Sequence, residues 1–160
     1  MSERVPMTTE GHVALKAELK RLKAEDRPAI SKEIGIAREH GDLSENAEYH
    51  AAKEKQGLIE ARISYLEDRL SRAEVIDVST LSGERIVFGA TVKLLDIDSD
   101  DELTYTIVGE DETDLDRGRI SIASPIARGL IGKRIDDEVT IRTGKGPRSF
   151  EILDVAFGEG

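Results

Sequence analysis

The chain has no cysteine and no tryptophan, and aromatic residues make up only 4% of it. Without cysteine there can be neither disulfides nor thiolate metal sites, which fits a cytoplasmic protein. No stretch approaches the roughly 18 consecutive apolar residues of a membrane span. The opening MSERVPMTTEG has none of the apolar core of a secretory signal, which again predicts the cytoplasm. Cations are also in deficit: 23 Lys and Arg against 33 Asp and Glu give a net charge of −10. General nucleic-acid binding rests on neutralising phosphates and is therefore not expected. The acidity is uneven, with a net −3 over residues 1–77 and −7 over 78–160. Any contact with nucleic acid should be local and arranged by a protein partner.

What the chain does have is organised around Ile36–Ala52, IAREHGDLSENAEYHAA, which separates two long helical patterns. Before it, Leu15, Leu19 and Leu22, and then Ile30, Ile34 and Ala37, follow four-then-three spacing. The step from Leu22 to Ile30 is eight residues where a heptad gives seven, and it contains Pro28. A bend or local break near Asp26–Pro28 is expected. After the turn, Ala52, Gln56, Ile59, Ile63, Leu66, Leu70 and Ala73 form a heptad seam. The two helices should pair antiparallel, with Leu22 near Leu66 and Leu19 near Leu70, in an arm about 40 Å long. Thr8 is a possible cap at the start of the first helix. At the turn, Gly41 suits the position past a helix end, and Asp42 with Glu45 reads as a capping box opening the second helix.

Beyond a polar connector at Ser79–Arg85 the period changes to that of strands. Ile86–Phe88, Ala90–Ile97, Leu103–Val108, Arg119–Ala123, Glu138–Thr143 and Phe150–Phe157 are the predicted strands, and Pro125–Leu130 a short helix. The fold class is α+β: residues 1–78 form an antiparallel coiled-coil arm, and residues 79–160 a small antiparallel β domain.

The turn carries Asp42, Glu45 and Glu48. Capping alone explains the first two. Magnesium coordination explains them as well, since Mg²⁺ takes carboxylate oxygens and shares the rest of its shell with water and substrate phosphates. His40 and His50 flank the turn without the spacing of a histidine metal motif. Arg38, Lys53 and Lys55 are ordinary helix-surface charges taken singly, and as a group could hold phosphates or contact RNA beside the acidic tip. SPIARGLIGK at 124–133 is not a phosphate loop, because Ala127 and Arg134 stand where that motif needs glycine and a hydroxyl residue. It suits domain packing or protein docking.

The tip GDLSENAEYHAA, MTTEG followed by Leu15 and Glu18-Leu19, AEVID at 73–77, VFGATV at 87–92, and SPIARGLIGK occur in this order over nearly the whole chain. Together they resemble the bacterial GreA-type transcript cleavage factors. The resemblance implies an N-terminal coiled coil and a C-terminal domain resembling the FKBP-like fold. It implies docking to RNA polymerase at its secondary channel through Ser124, Pro125 and Ile126. The coil would enter the channel, with Asp42 and Glu45 contributed to the polymerase active site as catalytic, metal-holding acids. There they would help hold a shared Mg²⁺, bound only in the complex, while backtracked nascent RNA is cleaved near its 3′ end. The factor is then a monomer when free, with no nuclease activity of its own. Three other readings exist: an inhibitory relative occupying the same channel, a peptidyl-prolyl isomerase suggested by the FKBP-like resemblance, and a coiled-coil adaptor. The unaltered tip argues against the first. The shortage of aromatic residues for an apolar pocket argues against the second.

Overall fold

The computed structural model describes residues 3–42 and 46–158. They divide into two compact units, one of Met1–Glu3 and His12–Ala73, the other of Arg4–Gly11 and Glu74–Gly160. A single cut between 78 and 79 does not describe this division. Residues 4–11 and 74–78 belong with the second unit, because strand β1 (Val5–Thr8) pairs with β2 (Ala73–Ile76) in a two-stranded sheet. Val5 and Met7 are buried there.

The first unit is a helical hairpin. Helix α1 (Thr9–Arg21) passes through a π-helical turn at Leu22–Asp26 into α2 (Arg27–Arg38). The predicted break is thus a turn that absorbs one residue: the Arg27 N–H bonds back to the Leu22 carbonyl, and Arg21 and Arg27 at its two ends keep right-handed helical angles. An eight-residue step in a regular α-helix would set Ile30 about 80° round from Leu22. With the extra residue taken up in the wider turn, both stay on the seam, 7% and 1% exposed. Pro28, which has no N–H to give, sits in the first turn of α2. Helix α3 (Ala47–Ser71) returns along α2, burying Ala52, Ile63 and Leu66. Ion pairs Lys23–Glu67 (2.6 Å), Arg27–Glu60 (2.8 Å), Lys55–Glu33 (3.9 Å) and Arg62–Glu18 (2.7 Å) join the two arms. These pairs are solvent-exposed to varying degrees and add little individually; the seam carries the packing.

The second unit is built on a five-stranded sheet in the order β5-β4-β3-β7-β6: β3 Thr91–Asp96, β4 Glu102–Val108, β5 Arg119–Ser121, β6 Glu138–Thr143 and β7 Gly146–Ala156. It is mixed, because β5 runs parallel to β4, which corrects the purely antiparallel reading. A second correction concerns Ile86–Phe88, which forms no strand. The segment is tied instead by the Ile86 N–H to Lys133 and by the Gly132 N–H to Ile86, both at 2.8 Å. Alternation along the strands buries Val92, Leu94, Ile107, Val139, Ile141, Phe150 and Ile152 against helix α4 (Pro125–Leu130). Gly129 permits the close approach of α4, since a Cβ there would lie 2.9 Å from the Ile141 side chain.

Among the described residues the buried charge is Asp96, at the end of β3. It pairs with Arg148 and accepts from the Asp98 N–H at 3.0 Å. The Arg148 guanidinium, aided by the amides of Ser99 and Asp98, holds this carboxyl below the ordinary aspartate range against the opposing effect of burial.

Candidate functional site

The hairpin turn is built from both helix ends. The last turn of α2 closes with the Glu39 N–H on Ile36 and the His40 N–H on Ala37, at 3.1 and 3.2 Å. Gly41 follows at φ +101°, a conformation that favours glycine, as the sequence reading required. Asp42 is exposed. Glu45, the other acid assigned to the tip, lies outside the described residues.

The cap of α3 is not Asp42 but Asn46. Its backbone is extended at φ −86° and ψ 93°, and its side-chain oxygen accepts from the Tyr49 N–H at 3.1 Å. The Asn46 Nδ2 also donates to the Ala37 carbonyl of α2 at 2.5 Å. Asn46 thus caps its own helix and joins it to the neighbouring one. The sequence signal for this cap is the three-residue interval Asn46–Tyr49, which lies just after the acids of the turn.

Around this clamp, His40 Nδ1 lies 3.2 Å from Glu48 Oε2, bridging the two helix ends on an exposed surface. His50 meets the Tyr49 ring edge-on at 5.5 Å. Tyr49 packs against Ile30, Ile34 and Ala52. Arg38 is exposed at the end of α2, Lys53 donates to Gln56 at 3.1 Å, and Lys55 faces Glu33. So the three predicted phosphate-contacting cations all lie near the turn, and Lys53 and Lys55 already have partners within the hairpin. Among the described residues no three His, Asp or Glu side chains converge to hold a metal ion.

The second candidate surface is the start of α4. Ser124 caps it, its Oγ accepting from the Ala127 N–H at 3.2 Å, and Pro125 occupies the first turn. Ala127 and Leu130 are buried, Ile126 packs partly on the core, and Pro125 and Arg128 are exposed. Exposed Val87 and Ile131, which the sequence reading did not single out, belong to the segments joined by the Ile86 hydrogen bonds. They extend this surface with apolar area.

A cavity of about 680 Å³ opens elsewhere in the second unit, walled by Thr91, Thr104 and Thr106 of the sheet and by Glu112, Arg117 and Arg119. Its lining contains no aromatic side chain, so it lacks the apolar aromatic pocket that the prolyl isomerase reading needs. Among the described residues no helix is long and apolar enough to cross a membrane.

Known proteins align with both units. The family described as "Transcription elongation factor, N-terminal" matches residues 5–75, and "Transcription elongation factor, GreA/GreB, C-term" matches residues 81–157. The transcription elongation factor GreA of Hyphomonas neptunium is 59% identical over 155 residues, covering 97% of this chain and 99% of that protein. GreA of Beijerinckia indica is 60% identical over the same length and the same shares. The crystal structure of GreA factor homolog 1 of Thermus thermophilus is 34% identical, with a TM-score of 0.45, covering 96% of this chain and 99% of that one. With two matched halves in order and full-length relatives well above the level at which families are recognised, the chain belongs to the GreA/GreB family of transcription elongation factors.

Proposed function

We propose that the protein docks on RNA polymerase through its second unit, whose fold we read as FKBP-like, and inserts the helical hairpin into the secondary channel. There it stimulates cleavage of backtracked nascent RNA by the polymerase itself. One observation carries this reading. Asn46 caps α3, and Asp42 stands exposed in the turn ahead of it. Asp42 and Glu45 would hold a divalent cation jointly with the polymerase. Carboxylate oxygens fit Mg²⁺, and a set of two needs the remaining ligands from the host. When bound, that cation supplies activation of water and neutralisation of charge on the leaving oxygen.

The work of this chain is then to deliver and orient. The seam and the ion pairs between the arms keep the hairpin extended to its tip. Arg38, Lys53 and Lys55 offer cations to RNA phosphates beside Asp42. Ser124 fixes the first turn of α4 so that Pro125 and Ile126, with Val87 and Ile131, form the docking surface. With only part of a cation site, the factor alone is not a nuclease and works as a cytoplasmic monomer.

The test is a stalled, backtracked elongation complex incubated with Mg²⁺ and the purified factor. Accelerated release of short 3′ RNA fragments is expected only when polymerase and factor are both present. Fragment release by the factor without polymerase, or none with it, defeats the proposal.

A further inference from the structure

We propose that Asn46 is a positioning residue that fixes the geometry of the turn bearing Asp42, an inference that rests on the cleavage-stimulating reading for its functional consequence. The side chain spans the mouth of the hairpin. Its amide nitrogen donates to the Ala37 carbonyl at the end of α2, and its oxygen accepts from the Tyr49 N–H in the first turn of α3. Only one orientation of the amide satisfies both groups, since a carbonyl needs a donor and an N–H an acceptor. The Ala37 carbonyl also receives the His40 N–H at 3.2 Å, so the two helix ends meet on one oxygen. Ala37 is 3% exposed, and the tie is therefore sheltered from competing water.

The segment between Ala37 and Asn46 is short, and both of its ends are fixed by this single side chain. Carboxylates that share a cation with a second protein must be held near their productive geometry before docking, because flexibility there weakens the joint site. A cap alone would need only the oxygen of Asn46. The nitrogen contact adds nothing to capping and joins the helices across the turn. That separates the two roles experimentally.

Asn46→Ser keeps a good cap and removes the amide donor, adding no charge. Asn46→Asp keeps the acceptor and sets a carboxylate oxygen against the Ala37 carbonyl. In the free, full-length factor, Asn46→Ser should raise hydrogen exchange at the Glu39 and His40 amides, which close the last turn of α2, about tenfold, as expected for one lost sheltered hydrogen bond. Exchange at Ile63 and Leu66 should not change. With polymerase, both variants should bind at the wild-type half-saturating concentration. At saturation both should stimulate cleavage about tenfold less, and Asn46→Ser should be rescued in part by raised Mg²⁺. If exchange at Glu39 and His40 is unaltered, or if Asn46→Ser stimulates cleavage like the wild type at ordinary Mg²⁺, the positioning role is overturned. If the wild-type factor itself stimulates nothing, the functional reading fails, while the exchange measurement still decides whether Asn46 holds the turn. A global loss of protection in Asn46→Ser would show a purely structural role and would also overturn the proposal.

Discussion

Deleting Ala24 should leave the hairpin seam intact, whereas deleting Ala61 should break it. Both alanines are exposed, so neither deletion removes core atoms directly. Ala24 lies in the π-helical turn, and its loss shortens the Leu22–Ile30 step to the seven residues of a heptad. The turn then becomes regular α-helix with Leu22 and Ile30 still on the seam. The residual cost is Pro28, now inside a regular helix, at about 3 kcal/mol. Pro28→Ala in the same chain removes that cost, and the combined variant should fall within about 1 kcal/mol of the wild type. Ala61 lies in α3, which has no such turn to collapse. Its loss rotates Ile63 and Leu66 about 100° relative to Ala52 and Ile59. Ile63 and Leu66 are 2% and 0% exposed, and uncovering them costs about 1.5–3 kcal/mol each. A loss of about 3–6 kcal/mol lowers the melting temperature of a domain this size by more than about 10 °C. Far-UV circular dichroism on heating follows the helical signal of each variant. If the Ala24-deleted, Pro28→Ala protein melts as low as the Ala61-deleted one, the π turn does not absorb the extra residue and the reasoning fails.

Asp42→Asn with Glu45→Gln should leave helix melting nearly unchanged and polymerase binding intact while cleavage stimulation falls by orders of magnitude; near-normal cleavage would end the metal-holding role of the acids. Because Asn46 is the cap, Ala at both positions should also leave the hairpin folded, which a melting curve checks. The Asp96 carboxyl titrates below its ordinary range in the folded protein, so its pairing with Arg148 contributes stability above the unfolded value near pH 4. That contribution disappears as pH falls through the lower folded value. Melting temperature against pH should therefore drop more steeply below about pH 4 in the wild type than in Asp96→Asn; parallel acid limbs would refute this. Glu112→Ala removes the acceptor for the Thr8 N–H and the Gly109 N–H, each at 3.1 Å, and should destabilise the second unit by about 1–3 kcal/mol. Hydrogen exchange at the Thr8 and Gly109 amides measures the effect, and unchanged protection would show that Glu112 does not anchor β1.

Local pattern determined a large part of this protein. The seam from Ala52 to Leu70, the glycine turn at Gly41, the cap at Thr8 (its Oγ1 accepting from the Gly11 N–H at 3.0 Å), and helix Pro125–Leu130 with strand Glu138–Thr143 all follow from near neighbours in sequence. The acids, cations and Ser-Pro segment of the candidate surfaces were legible for the same reason, since residue type and spacing are local. Tertiary structure decided the rest. The eight-residue step became a π turn instead of a break because α3 holds both sides of the seam to one face. Asn46 caps α3 and also donates to the Ala37 carbonyl, nine positions away on another helix, a contact that no local pattern announces. Val5–Thr8 became a strand only by meeting Ala73–Ile76, and β5 chose a parallel neighbour across a long connection. Asp96, one acid among several in DIDSDDE, became the buried one because Arg148 arrives from β7, 52 residues on. Each of these outcomes turns on a partner distant in sequence. Periodicity and propensity report what a segment can form; which of those options is stabilised is set by the group it packs against.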